Sequence, residues 1–426
     1  MPEITVPTGW TLAALGAGLA AGLFLPPPVL APLLAVAAPI GELWLKGLQM
    51  TILPLVVSLL VIGVVRTIEA ARGGATARRT LGLIVAFLVG GAVMAALATP
   101  LLLALFPIPG TAATALSAVP TPAGQALPGV GAFLSSLVPD NVFASAAGGA
   151  VLPVIVFFAL FAAALGRLPA PTRRAVLPLF EGVAAAMMIV IGWVLALAPI
   201  GVLALSLGVA AKTGAAAFAV LAHYIAVVSA VGGVVMLAGY ALAVLGARLP
   251  LGAYARALLP VEAVALSTQS SLASLPAMLA ACRRLGVRES SADFVLPLAV
   301  ALFRATGPAM NLAVAIYVAR LTGVALTPAV LAAGVVAASL TTLGAPSISG
   351  TVSYISSIGP IALAMGVPVA PLALLVAVEM LPDLMRTLGN VCMDVLLAAT
   401  VDRWNRRDAV LQASGARDPV QSDRVL

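Results

Sequence analysis

Long apolar runs alternate with short polar interruptions along almost the whole chain. Stretches near 11–25, 43–65, 80–106, 142–166, 176–210 and 215–247 carry few charges. All but the short first one match the roughly 20 residues that a helix needs to cross a hydrocarbon layer. The pattern then changes: residues 254–285 and 327–360 are interrupted near their midpoints by STQSSLASLP and TTLGAPSISG. Two more runs, near 293–319 and 368–402, lie between and after them. Each flank of an interrupted segment is too short to span comfortably. Irregular backbone at membrane depth is tolerated only within protein or along a watery cavity, because unpaired amides in hydrocarbon each cost several kcal/mol. The pattern therefore predicts two re-entrant helical hairpins. Paired interruptions of this kind point to a transporter binding site; ordinary spans joined by loops are the alternative.

The last run carries the polar positions that matter most. At 100° per residue, Glu379, Asp383, Arg386, Asn390 and Asp394 fall within an arc of roughly 80° on one helix face. Each central charge costs about 2.5–3.5 kcal/mol to insert, so the four together cost on the order of ten unless paired or hydrated. Such a face lines a substrate or ion path. A ladder in which Asp383 and Arg386 satisfy one another at i, i+3 is the structural alternative, but it leaves the two polar interruptions unexplained. Chemically the set suits an amino acid: Arg386 is a planar fork for a carboxylate, Asp383 accepts from an ammonium, and Asn390 with the serines donates to a second carboxylate.

Composition supplies the setting. The chain has 426 residues, 62% hydrophobic and 9% charged, with mean hydropathy +1.17, against about 25% charged in a soluble domain. A polytopic membrane protein with lipid as a partner is the consequence. The net charge of +7 does not point to nucleic acid, because the arginines sit in small clusters between apolar runs. Arg66, Arg72, Arg78 and Arg79, then Arg167, Arg173 and Arg174, then Arg248 and Arg256, then Arg283, Arg284 and Arg288, should face the cytoplasm, as should the tail with Arg403, Arg406 and Arg407. The segment FPIPGTAATALSAVPTPAGQALPG has no Lys or Arg and should lie outside. The start lacks the basic region of a signal peptide, so the first run is expected to be retained.

Other residues add little chemistry. Cys282 and Cys392 have no metal-site or disulfide spacing, and His223, the one histidine, reads as a satisfied or interfacial residue. Lys46 and Lys212 lie in segments without a serine–base scheme, and there is no phosphate loop, so neither an intramembrane protease nor an ATP-driven pump is indicated. Trp10, Trp44, Trp193 and Trp404 fall near run ends, where an interfacial belt is the ordinary reading.

The segments resemble the glutamate transporter family, the dicarboxylate/amino acid:cation symporters, through nearly the whole chain. IGELWLKGLQMTILPLVVSLLVIGVV is similar to the family's second helix, LVPDNVFASAAGGAVLPVIVFFALFAAALG to its fourth and LAPIGVLAL to its fifth. The most specific matches are LSTQSSLASLPAML for the first hairpin, FVLPLA for the start of the seventh helix, GAPSISG for the second hairpin and DLMRTLGNVCMD for the eighth helix. The resemblance implies an all-α fold of eight transmembrane helices and two re-entrant hairpins with inverted repeats, assembled as a homotrimer in the cell (plasma or inner) membrane. It implies scaffold helices in 1–79 and 107–211, a moving transport domain in 80–106 and 212–402, and a cytoplasmic tail at 403–426. It implies elevator-type secondary transport rather than an enzyme, with no cofactor and H+ or Na+ as coupling ion.

Carried over by residue, the resemblance implies that Ser271 and Asn390 hold the α-carboxylate, with Ser270 and Ala345 on the hairpin tips beside them. Asp383 and Thr387 would hold the amino group, and Arg386 a side-chain carboxylate. Asp394 with Asn390 matches a cation site. Retention of Asp383 favours an acidic amino acid over a plain dicarboxylate. The departures weaken sodium coupling: in FRATG, Phe303 and Ala305 stand where the family has its cation-binding Asn and Asp, Gly307 replaces a substrate-facing Thr, and Gly90 and Gly91 replace hydroxyl ligands. Arg304 is expected to stand in for a bound cation by pairing with Asp394 or Glu379, and Glu379 is a candidate proton carrier, which ranks proton coupling or exchange above sodium. Ser347 and Ser349, where relatives have Gly, bear on the flexibility of the second tip. Gly307 and Gln269 leave a neutral amino acid exchanger as the alternative, and a channel or ligand-sensing membrane protein is the rival of a different class.

Overall fold

The computed structural model describes residues 8–72, 74–109, 135, 137–213, 216–344 and 351–415. The described residues form helices and no strand, and six of the helical segments are long and apolar enough to cross a membrane. The chain is a multi-pass membrane protein. Three helices open it: α1 (Thr8–Phe24), α2 (Pro27–Ala71) and α3 (Ala75–Leu105). The second has 45 residues, about 68 Å at 1.5 Å per residue, roughly twice the hydrocarbon thickness. Pro27 and Pro28 start it where their missing N–H groups are not needed.

Proline explains why several expected single runs are each divided. The run near 142–166 is α4 (Val142–Ala147) and α5 (Val151–Arg167), parted at Gly149, whose φ of 74° favours glycine. The run at 176–210 is α6 (Ala170–Ala196) and α7 (Ala198–Thr213), with Pro199 in the first turn of α7. Pro199 has no N–H to donate to the Leu195 carbonyl, and the helix is interrupted at Leu197.

Next come α8 (Ala216–Leu245), the packed pair α9 (Leu251–Thr268) and α10 (Leu275–Arg284), then α11 (Glu289–Leu302) and α12 (Thr306–Leu321). The expected continuous span at 293–319 is thus broken at residues 303–305, four residues before Pro308. A second packed pair follows, α13 (Pro328–Gly344) and α14 (Thr351–Ala364). The span at 368–402 is broken in the same way: α15 (Ala370–Leu375) passes through a 3-10 turn at Val376–Val378 into α16 (Met380–Gly415). Here Pro382 forbids an ordinary helical bond to Val378. Of the two most enclosed spans, α11–α12 contains a break ahead of Pro308 and α16 follows one ahead of Pro382.

The helices form two groups. In one, α2 packs on α5, α6 and α7, and α1 lies along α7. In the other, α16 packs on α8, α9 and α11, while α12 packs on α3, α8, α13 and α14. The groups meet where α2 crosses α13 and α14. One end of the second group is tied together by charge. Asp402 on α16 accepts from Arg288 and Arg406, each at 2.7 Å, and from Ser291 at 2.8 Å. Arg79 at the start of α3 donates to Asn405 at 3.0 Å and also pairs with Asp408.

Trp44 does not join an interfacial belt. It is 6% exposed and its indole N–H donates to the Val194 carbonyl at 2.8 Å, because Gly201 leaves room for the ring: a Cβ there would lie 2.1 Å from Trp44 Cδ2. Trp10, Trp193 and Trp404 are the exposed ones. Gly201→Ala should destabilise the fold by about 1–3 kcal/mol through overpacking. The readout is the thermal midpoint of the purified protein in detergent; an unchanged midpoint would mean that Trp44 moves aside freely.

Candidate functional site

The two broken spans and the α9–α10 turn converge on one polar cavity of about 60 Å³, room for about four waters. Its walls are Gln269, Ser270 and Ser271 from the α9–α10 turn, Phe303 and Arg304 from the α11–α12 break, and Asp383, Arg386, Thr387 and Asn390 from α16. The first turn ends α9 with Gln269 in the left-handed region, φ 49°. Ser270 Oγ accepts from the Ala273 N–H at 3.2 Å and its carbonyl accepts from Ser274 Oγ at 2.9 Å, which fixes the turn and holds Ser271 beside the cavity. Ala345, Ser347 and Ser349, expected at the second tip, lie outside the described residues. The adjoining arms contribute Thr342 and Ser357, which border a second void of about 10 Å³ together with Arg304, Gly307, Arg386 and Asn390.

Arg386 is the electrostatic centre. One terminal nitrogen donates to Glu379 Oε1 and the other to Asn311 Oδ1, both at 2.6 Å, and Nε lies 3.1 Å from Asp383 Oδ1. Tyr224 on α8 donates to the other Glu379 oxygen at 2.8 Å, and the Tyr354 hydroxyl on α14 is 3.4 Å from that of Tyr224. The internal ladder considered from the sequence is therefore present, and wider than i, i+3. It does not exhaust the guanidinium, whose five N–H groups leave at least two for another acceptor. Glu379 is not within the helix that carries the rest of the face: α16 begins at Met380, and Glu379 sits in the joint, its carbonyl accepting from the Asp383 N–H at 3.0 Å.

Asn390 is oriented by the break in the neighbouring span. Its Oδ1 accepts from the Thr306 N–H at 3.0 Å and the Thr306 hydroxyl at 2.8 Å. That satisfies one of the orphan donors at the start of α12 and leaves the Asn390 amide N–H₂ as the group available to the cavity. Gly389 permits the approach, since a Cβ there would come 2.4 Å from Thr306 Cγ2. The hydroxyl of Thr387 donates to the Asp383 carbonyl at 3.0 Å, so its oxygen still faces the cavity as an acceptor.

The expected cation ligands are arranged differently. Phe303 is 1% exposed and packs on Phe87 of α3 with ring centroids 5.9 Å apart, so an aromatic pair fills this place. Gly91 faces the Ala305 carbonyl, 3.5 Å from where a Cβ would be, whereas nothing lies within 4 Å of a Cβ at Gly90. Asp394 is fully buried and neither carboxylate oxygen has a hydrogen-bond partner. The expected pairing of Arg304 with Asp394 is thus not made. Asp394 lies eleven residues beyond Asp383, about 16 Å along the helix, and does not border the cavity.

Four participants escaped the sequence reading: Tyr224, Thr306, Asn311 and Tyr354. Asn311 had a signal, as a lone amide within the apolar run of α12. The break itself was signalled by Gly307–Pro308. His223 is satisfied as expected, 3.2 Å from the Tyr317 hydroxyl and 3.0 Å from the Phe106 carbonyl, and both cysteines are buried and free. Among the described residues no cluster of His, Cys, Asp and Glu could hold a metal ion.

The chain is similar to known proteins over most of its length. The sequence model of the Sodium:dicarboxylate symporter family matches residues 8–404. The chain is 28% identical to the proton/glutamate-aspartate symporter of Escherichia coli (strain K12), over 87% of this chain and 85% of the relative. It is 27% identical to the proton/sodium-glutamate symport protein of Bacillus subtilis (strain 168), over 91% and 88%. Against C4-dicarboxylate transport protein 2 of Ralstonia nicotianae it is 28% identical over 93% and 89%.

Proposed function

Because the chain belongs to the Sodium:dicarboxylate symporter family, we propose that it is a secondary symporter of acidic amino acids or C4 dicarboxylates. The observation that carries the reading is the convergence of Ser270, Ser271, Asp383, Arg386, Thr387 and Asn390 on one cavity inside a membrane protein. The donors at Arg386 and Asn390 suit carboxylates; Asp383 and Thr387 supply acceptors that an ammonium can use. The names of the relatives, proton/glutamate-aspartate symporter and C4-dicarboxylate transport protein, support the same ligand class.

The layout in this reading is eight spans and two re-entrant hairpins, α9–α10 and α13–α14, with inverted repeats. The group around α2 is the scaffold and the group around α16 is the carrier domain, which moves across the bilayer as an elevator within a homotrimer. The matched breaks at 303–305 and 376–379 support inverted repeats, and the Asp402 network supports a carrier domain that moves as one body. The arginine-rich loops and tail face the cytoplasm across the plasma or inner membrane.

Charge balance favours protons as the coupling ion. Arg304 and Arg386 balance Asp383 and Glu379 around the empty site. A dianionic substrate leaves two uncompensated negative charges in a low-dielectric interior, which is expensive. A proton taken up on Glu379 offsets one of them without the array of oxygen ligands that sodium needs.

The decisive experiment is counterflow in reconstituted vesicles. Labelled aspartate or succinate should accumulate transiently and saturably against internal unlabelled ligand. A flux that does not saturate and shows no exchange would make the protein a channel, and exchange confined to neutral amino acids would replace the substrate class.

A further inference from the structure

Resting on the carrier reading, we propose that Arg304 is a substrate-contacting residue, the second carboxylate receptor of the chamber, and that it sets selection for ligands with two anionic groups. The sequence suggested instead that Arg304 replaces a bound cation, paired with Asp394 or Glu379. The geometry separates the two roles. Asp394 does not border the cavity and has no hydrogen-bond partner, whereas Arg304 borders the main cavity and the adjoining void alike.

The backbone break presents the side chain there. Residues 303–305 are not helical; Phe303 is 1% and Ala305 2% exposed, while Arg304 between them is only partly buried. Arg386 and Asn390 are the other two residues shared by both spaces. One wall therefore carries two guanidinium groups and an amide.

Among the described residues the one acidic side chain bordering either space is Asp383, which contacts Arg386 Nε. Among the described residues the second void is lined by the hydroxyls of Thr342 and Ser357 and the Asn311 amide, with no carboxylate. Such a lining suits an anionic group rather than a cation. A planar guanidinium binds a carboxylate through paired N–H donors. Two of them, one from α16 and one from the α11–α12 break, suit the two ends of a short diacid. Gln269, uncharged on the facing turn, leaves this second positive role to Arg304.

The test compares each diacid with its monoamide, which keeps shape and removes one charge: succinate against succinamate, and L-aspartate against L-asparagine. Dissociation constants are measured by titration of the purified protein in detergent. Wild type should prefer one or both diacids strongly, and in R304Q the diacid-to-monoamide preference should fall about tenfold, with the monoamide's own affinity little changed. General misfolding weakens both ligands alike and leaves their ratio intact. If R304Q binds neither ligand, R304K decides: a reduced but surviving diacid preference supports the proposal, and equal loss of both ligands overturns it. An unchanged ratio in an R304Q protein that still binds diacids overturns the role of Arg304 while the carrier reading stands. If wild type binds none of the four ligands, the carrier reading itself fails.

Discussion

Arg386→Ala is expected to abolish uptake of acidic ligands and to destabilise the fold together. Removing the guanidinium leaves Glu379 and Asp383, 2% and 8% exposed, without the positive charge between them. Breaking one side of a buried ion pair costs about 3–5 kcal/mol. Two charge-assisted hydrogen bonds to a ligand carboxylate at about 1.5–3 kcal/mol each correspond to a loss of at least a hundredfold in affinity. The two effects separate in a double variant. Adding Glu379→Gln to Arg386→Ala should recover part of the stability, because an amide is less costly to bury than an unpaired carboxylate, and should recover none of the uptake. Thermal midpoints and initial uptake rates in the same preparation measure both. An Arg386→Ala protein that binds aspartate as tightly as the wild type would remove Arg386 from the site.

The helical, membrane-embedded character was legible because it follows from apolar content and run length alone, as with α3 and α8. The polar face was legible because charges at i, i+4, i+7 spacing in an apolar run have few physical explanations. The breaks were harder. At Pro308 and Pro382 the cue lies four residues downstream of the irregular backbone, and hydrophobic periodicity passes through both places unchanged, since Phe303, Ala305, Val376 and Val378 are all apolar. Partners from distant segments were illegible for another reason. Tyr224 reaches Glu379 across 155 positions and Thr306 reaches Asn390 across 84. Only packing sets such pairs, and Gly389, which admits Thr306, has no meaning until both helices are placed. The resemblance supplied the residue types at the site; charge compensation suggested pairing Arg304 with Asp394 or Glu379, and of these the Asp394 pair is not made.

Uptake driven by a proton gradient and indifferent to sodium is the second large effect expected. A sodium ion needs about six oxygen ligands to replace its water, as hard cations generally do. Here the positions that would supply them are taken. Phe303 fills one with an aromatic contact to Phe87, Ala305 and Gly91 have no side-chain oxygen, and the Asn390 Oδ1 accepts twice from Thr306. Asp394 remains as a fully buried carboxyl group whose oxygens have no hydrogen-bond partner among the described residues. Burying a bare charge there is costly, and a bound proton removes the cost without further ligands. In vesicles, replacing external sodium by choline should change initial uptake less than twofold, whereas dissipating an inward proton gradient with a protonophore should reduce accumulation at least tenfold. Asp394→Asn and Glu379→Gln distinguish the two carboxyl groups: the variant that loses dependence on the gradient but keeps counterflow identifies the proton carrier, because exchange of loaded substrate needs no net proton movement. Steep sodium dependence with no response to the proton gradient would place a cation site elsewhere in the carrier, and Phe303→Asn, which restores an amide at the aromatic position, should then leave that dependence unaltered.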